Sequence, residues 1–285
     1  MALQLPLVLL VLVAAVLHAL WNAALKSSGE RFLTFTAIRA TGTMLGLLAT
    51  PFVAFPAAQA WPFLIAGFIV HNVYYVFLLF AYRIGDLSQV YPLARGSAPV
   101  VVAVLALLAA HEVPGPGAVA GVALVSLGIA ALSFAGGGGG PAGKAARPVA
   151  LALATGLVIA GYTVLDGIGI RRAGTVLGFI AWLNVLEGLP FLAVAAAFRG
   201  HDLSLFLARH WKRGLGLGLL PVSAYGLVLY ALSRGAMAPV TALRETSVLF
   251  AALIGCAALG EPFGARRIAA AALIVAGVVA MQTMG

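Results

Sequence analysis

Six ionisable side chains lie in stretches apolar enough to belong in lipid: Arg39, Arg95 and Arg244, against Asp166, Glu187 and Glu245. A charge at the centre of a bilayer costs about 2.5–3.5 kcal/mol even on insertion scales, so each is a candidate for function. Three cations facing three anions can recognise charged groups or move a proton, and structural ion pairing across helices would leave the same inventory. Arg244 and Glu245 are adjacent, about 100° apart on a helix, so at most one points squarely into a cavity. Arg39 and Glu187 are read as a coupling or ion pair, Arg95 and Glu245 as the foremost substrate contacts. On that reading Glu245→Gln cuts activity while leaving folding largely intact.

Other polar groups gather around these charges. His18, Trp21, Asn22 and Lys26 recur at spacings of three and four, on one helical face. Such a stripe turns toward protein or water, because an unsatisfied polar group in hydrocarbon is costly. His71, Asn72, Tyr74 and Tyr75 fall within one apolar run, and Tyr91, Tyr162, Arg244 and Tyr225 complete the candidate set. The aromatics could form a cation-π box, although helical tyrosines more often bond their neighbours. His18 and His71 could relay protons; His18, beside Trp21 and Asn22, is the better placed, and His71 reads rather as a packing histidine. In depth, Lys26, Arg39 and Arg95 are expected toward one membrane face and Asp166 and Glu245 toward the other, which would suit a solute bearing both charges.

Apolar runs position these groups. The chain has 285 residues, 63% hydrophobic and 9% charged, with mean hydropathy +1.09; soluble domains carry about a quarter charged residues. A spanning helix needs about 20 apolar residues, and ten such runs are present, near 5–25, 32–55, 61–82, 88–110, 116–134, 149–169, 175–198, 214–233, 237–259 and 265–283. The amino terminus has no basic start or cleavage site of a signal peptide, so the first run is expected to be a retained helix. Within the fourth run Pro92, Gly96 and Pro99 surround Arg95 and loosen the backbone, which membranes tolerate where it lines a cavity. Trp61 opens the third run as an interfacial anchor. Residues 135–148, with five consecutive glycines, form a linker.

The chain repeats itself around that linker. Ala81, Gly85, Val90, Leu93 and Ser97 match Ala231, Gly235, Val240, Leu243 and Ser247 at a constant offset. Each copy then reaches a Glu, in His111-Glu112 and Gly260-Glu261-Pro262, with Leu124 and Gly128 after the first and Leu273 and Gly277 after the second. Glu112 and Glu261 read as boundary or capping residues. The expected fold is all-α integral membrane, ten transmembrane helices as two inverted five-helix repeats, residues 1–134 and 149–285. Five is odd, so equivalent helices cross in opposite directions, a design whose site lies near the midplane.

The net charge of +9 points to loop placement rather than to nucleic acid. Connections 1, 3, 5, 7 and 9 gather Lys26, Arg31, Arg83, Lys144, Arg147, Arg199, Arg209, Lys212, Arg213, Arg266 and Arg267; the even connections hold Arg171, Arg172 and Arg234. The positive-inside rule then puts the odd connections in the cytoplasm and both termini outside. The single cysteine, Cys256, excludes an intramolecular disulfide and a Cys-cluster metal site and reads as a packed core residue. Lys144 is followed by Ala-Ala rather than the hydroxyl residue of a phosphate loop. No His-Glu-x-x-His or Gly-x-Ser-x-Gly constellation is present, so an integral-membrane enzyme has no catalytic set; no cofactor or metal is expected.

The His18-Ala19-Leu20-Trp21-Asn22 segment with Lys26, Tyr91-Pro92-Leu93 with Arg95, and Gly260-Glu261-Pro262 leading to Gly277 resemble the EamA type of the drug/metabolite transporter superfamily. The resemblance covers essentially the whole chain. It implies a secondary transporter of the inner membrane working by alternating access, with a cavity lined by helices 1, 3, 4, 6, 8 and 9. Many members keep both termini in the cytoplasm, opposite to the loop charges, and His111 replaces the usual glycine before Glu. The expected partners are a small polar or zwitterionic metabolite and the lipid bilayer, with the protein a monomer or homodimer. A lipid-linked sugar flippase or multidrug exporter is the alternative.

Overall fold

The computed structural model describes residues 3–84, 87–135, 146–259 and 264–283, with side chains described for all of these except 78–84, 87–91, 133–135, 146–149 and 257–259. Tyr91, Arg83, Lys144, Arg147, most of the glycine linker and the Gly260-Glu261-Pro262 turn therefore lie outside the described residues or side chains. Among the described residues the chain is helical, with no strand: α1 Leu5–Lys26, α2 Arg31–Ala49, α3 Trp61–Ile84, α4 Leu87–Ala110, α5 Pro116–Ala135, α6 Ala146–Arg172, α7 Val176–Arg234, α8 Met237–Glu245, α9 Ser247–Leu259 and α10 Ala265–Thr283. Among the described residues eight stretches are long and apolar enough to cross a membrane, with Pro116–Leu132 a shorter apolar helix.

Two elements depart from the run-by-run reading. The runs near 175–198 and 214–233 are continuous in α7, which bends at Arg199 (φ −142°) and His210 (φ −121°). Between the bends exposed Leu205 and, just beyond them, exposed Trp211 accompany Arg199, Arg209, Lys212 and Arg213, a composition suited to the lipid–water boundary. The run near 237–259 is instead divided, because Thr246 ends α8 and α9 starts at Ser247. The Thr246 amide and hydroxyl both turn back to the Leu243 carbonyl, at 3.2 and 2.6 Å. That break falls beside Arg244 and Glu245.

The burial pattern is the reverse of a soluble protein's. Leu5, Leu9, Val13, Leu47, Leu48, Leu108, Leu157 and Val275 face outward, while Arg39, Arg95, Asp166, Glu187, Arg244 and Glu245 are buried. Apolar side chains can face lipid freely, and charges must find partners inside.

Small residues let the helices approach. α2 packs chiefly on α7, α5 on α10, α4 on α6 and α5, α3 on α6, and α1 on α7, α8 and α9. A Cβ on Gly46 of α2 would fall 2.6 Å from the Ala181 carbonyl and 2.9 Å from Val185, and one on Gly188 of α7 would fall 2.7 Å from the Arg39 carbonyl and clash with Thr43. Gly46, Thr43 and Arg39 thus meet Gly188, Val185 and Ala181 with roles exchanged. The α5–α10 seam does the same: Gly128 backs onto Ala270 and Ile274, and Gly277 onto Gly121 and Val125.

One face is tied by Glu112 and Arg171. Glu112 accepts the backbone N–H of Met237, the first residue of α8, at 2.8 Å, and pairs with Arg171 at 2.5 Å. Arg171 also donates to the carbonyls of Leu232 and Gly235, at 2.9 and 2.7 Å. The expected capping role of Glu112 is therefore seen, exercised on a distant helix. Its neighbour His111 has φ 55°, the left-handed conformation that favours glycine. That is where the second copy has Gly260. On the same side Phe55, Trp61 and Trp182 form a ring cluster with centroids 5.2–5.4 Å apart, as befits an interfacial belt.

Gly277→Leu should lower the melting temperature in detergent by the equivalent of about 1–3 kcal/mol, the usual cost of overpacking. An unchanged melting temperature would show that the α5–α10 seam is not tightly packed.

Candidate functional site

The buried charges fall into two clusters. In the first, Glu245 at the end of α8 receives two guanidiniums. Arg95 Nη1 lies 2.6 Å from its Oε2, and Arg244 Nη2 and Nε lie 2.6 and 2.9 Å from its Oε1. Arg95 lies between Pro92 and Pro99 of α4, and Arg244 and Glu245 stand at the break at Thr246. Arg244 stands near the negative end of the α8 dipole, where a cation is favoured. His18 of α1 contacts Arg95 through Nε2, while its Nδ1 accepts the Trp21 indole N–H at 3.3 Å. Both ring nitrogens of His18 therefore face donors.

The expected separation in depth does not hold for Arg95 and Glu245, which touch. They are 150 residues apart, the constant offset between the two sequence copies. The expectation for Glu245→Gln changes as well, since the substitution would leave two buried guanidiniums without their carboxylate.

The second cluster centres on His71 of α3. Its Nε2 lies 2.7 Å from Asp166 Oδ2 on α6, and its Nδ1 lies 3.2 Å from Glu187 Oε1 on α7. Arg39 of α2 pairs with Glu187 Oε2, which also accepts the Tyr75 hydroxyl at 3.0 Å. Tyr225 donates to Asp166 Oδ2 at 2.5 Å. Arg39 also lies over the Tyr75 ring, 5.0 Å from its centroid. His71 is thus no ordinary packing histidine. Nothing in the sequence spacing marks it, because its partners come from two other helices.

Tyr162 joins the clusters. It stacks on His71, with ring centroids 3.9 Å apart, and carries the Arg244 guanidinium 5.6 Å from its own centroid. Among the described residues the first cluster holds two guanidiniums and one carboxylate, and the second two carboxylates and one guanidinium. A charge-separated interior therefore exists, arranged around Tyr162.

The asparagines are less central. Asn22 and Asn72 donate to the carbonyls of His18 and Phe68 on their own helices, at 2.8 and 2.9 Å. Asn72 lines a cavity of about 970 Å³ walled by Phe32, Phe68, Val73, Phe77 and Phe191, with Glu30, Arg31 and Arg199 at one end. That cavity lies among α2, α3 and α7. The charged clusters themselves are closed over. Cys256 is buried, as expected, and accepts from Arg267 at 2.8 Å. No group of metal-ligating side chains is present among the described residues.

Helices with lipid-facing apolar sides and a buried polar interior define a multi-pass membrane protein. Residues 146–283 match the EamA-like transporter family, a family of the drug/metabolite transporter superfamily. The fold is also similar to that of a solved crystal structure, with a TM-score of 0.78 over 98% of this chain and 99% of that one, at 19% identity. Comparison with curated proteins gives no significant match.

Removing Glu245 should cost more than removing one of its partners. Glu245→Gln strands two cations and is expected to destabilise by about 3–5 kcal/mol, whereas Arg95→Met leaves the Arg244–Glu245 pair in place and costs less. Melting curves of the two variants in detergent check this; the reverse order would show that Arg95 is the group the cluster depends on.

Proposed function

We propose that the protein is a secondary active transporter carrying a small zwitterionic metabolite, amino-acid-like in charge, across the inner membrane by alternating access. The single observation that carries this reading is the pair of oppositely unbalanced clusters on either side of Tyr162. A substrate carboxylate would find Arg244, whose Nη1 is buried without a hydrogen-bond partner, and a substrate ammonium the unpartnered Oδ1 of Asp166 and Oε1 of Glu187. Both clusters are desolvated, so an incoming charge gains most where it completes a pair.

The architecture proposed for this motion is ten spanning helices in two inverted five-helix repeats, residues 1–134 and 149–285, joined by the linker 135–148. The exchanged contacts at the α2–α7 and α5–α10 seams support it, since a two-fold axis in the membrane plane would produce such reciprocity. The tie of Glu112 to Arg171 and Met237 would then hold one face shut.

The cavity beside Asn72 favours a second reading. Its apolar wall with charges at one end suits an amphiphile entering from the lipid, as in a flippase or multidrug exporter.

The test removes one charge of the first cluster and leaves the Arg244–Glu245 pair in place. Arg95→Met should still give a helical, monodisperse protein, and proteoliposomes holding it should lose counterflow of a radiolabelled amino-acid mixture that wild type supports. Full counterflow in this variant would show that Arg95 only holds the fold. Counterflow of an amphiphilic dye but not of amino acids in wild type would favour the second reading.

A further inference from the structure

His71 stands between two carboxylates, and proton counting makes that position unusual. A neutral imidazole has one N–H. If Nε2 donates to Asp166 Oδ2 at 2.7 Å, Nδ1 presents a lone pair to Glu187 Oε1, 3.2 Å away. Both of those atoms are buried and neither has a hydrogen-bond partner. Two lone pairs facing each other in a water-poor interior repel. One added proton resolves the conflict, either as an imidazolium N–H donating to Glu187 or as a Glu187 carboxyl donating to Nδ1.

Among the other groups facing His71, Asp166 also keeps one oxygen, Oδ1, buried without a hydrogen-bond partner, whereas the rest are engaged. From α2 comes Arg39, already paired with Glu187 Oε2; from α3 itself Tyr75, which donates to Glu187; from α6 Asp166 and Tyr162; and from α7 Glu187 and Tyr225, the tyrosine donating to Asp166. His18 has the opposite surroundings, with donors at both nitrogens. Of the two histidines the sequence offers for a relay, His71 is the one built to bind a proton.

We propose that His71, Asp166 and Glu187 form a proton-binding site, with one exchangeable proton held between His71 Nδ1 and Glu187 Oε1, and that this proton is the coupling ion. Binding forms one N–H or O–H bond and changes the cluster of Arg39, Asp166 and Glu187 from an excess of one negative charge to neutrality. The proton-free cluster is then the form that accepts a substrate cation, so proton and substrate occupy it alternately and move in opposite directions. The coupling part of this inference rests on the transporter reading above; the proton site itself does not.

Two measurements separate the parts. Infrared difference spectra of the purified, ligand-free protein between acid and alkaline pH should show a buried histidine or carboxyl signal in wild type that is lost in His71→Gln and in Glu187→Gln; either variant suffices if the other fails to fold. Identical spectra in wild type and the folded variants would overturn the site. In proteoliposomes an imposed pH gradient should drive accumulation of the amino-acid mixture in wild type, and folded, monodisperse His71→Gln should reduce that accumulation to the protein-free level. Counterflow without any response to the gradient in wild type would overturn the coupling. Loss of counterflow in wild type would contradict the proposed substrate and leave the infrared result to decide the proton site.

Discussion

Everything in this fold depends on keeping six charges satisfied where no water can reach them. A bilayer offers no partner for a stray guanidinium or carboxylate, so the helices must deliver each charge to another within hydrogen-bond reach. Glu245 meets Arg95 at 2.6 Å, and Asp166 meets His71 at 2.7 Å. Arg95 lies between the two prolines of α4, and the divided α8–α9 span sets Arg244 and Glu245 at a helix end. Tight glycine seams at α2–α7 and α5–α10 hold the rest rigid enough for the pairs to persist.

The same requirement gives the interior its character. Strict pairing throughout would make a stable, inert core. Among the described residues the pairing is lopsided, with more guanidiniums than carboxylates on one side of Tyr162 and more carboxylates on the other. An imbalance of that kind is costly unless a ligand, a proton or a counter-charge completes it. A transporter needs sites that are incomplete when empty, since differential contact in its states is what lets substrate shift them.

Much of this was legible in the chain. Hydropathy gave the helical membrane class, and the repeat singled out Arg95 and Glu245 as equivalent positions, which the structure brings into contact. The cap at Glu112 was foreseen as a role, but its recipient, Met237 of α8, was not, because a side chain's reach across helices leaves no periodic trace. His71 was undervalued for the same reason. Its partners lie 95 residues away at Asp166 and farther still at Glu187, on helices whose rotation no single sequence states. The break at Thr246 was also hidden, since Thr-Ser inside an apolar run carries no proline or glycine to announce it. The cavity among α2, α3 and α7 was missed because apolar walls read as ordinary lipid-facing helix.

The most direct test of the charge-separated interior is a thermal-shift screen of the purified wild-type protein against zwitterions, simple carboxylates, simple amines and apolar amphiphiles at matched concentration. A ligand that binds only the folded state raises the melting temperature by mass action. Stabilisation by zwitterions that exceeds that of either singly charged class is the predicted result. Stabilisation confined to amphiphiles would contradict the account and place the substrate in the apolar cavity beside Asn72.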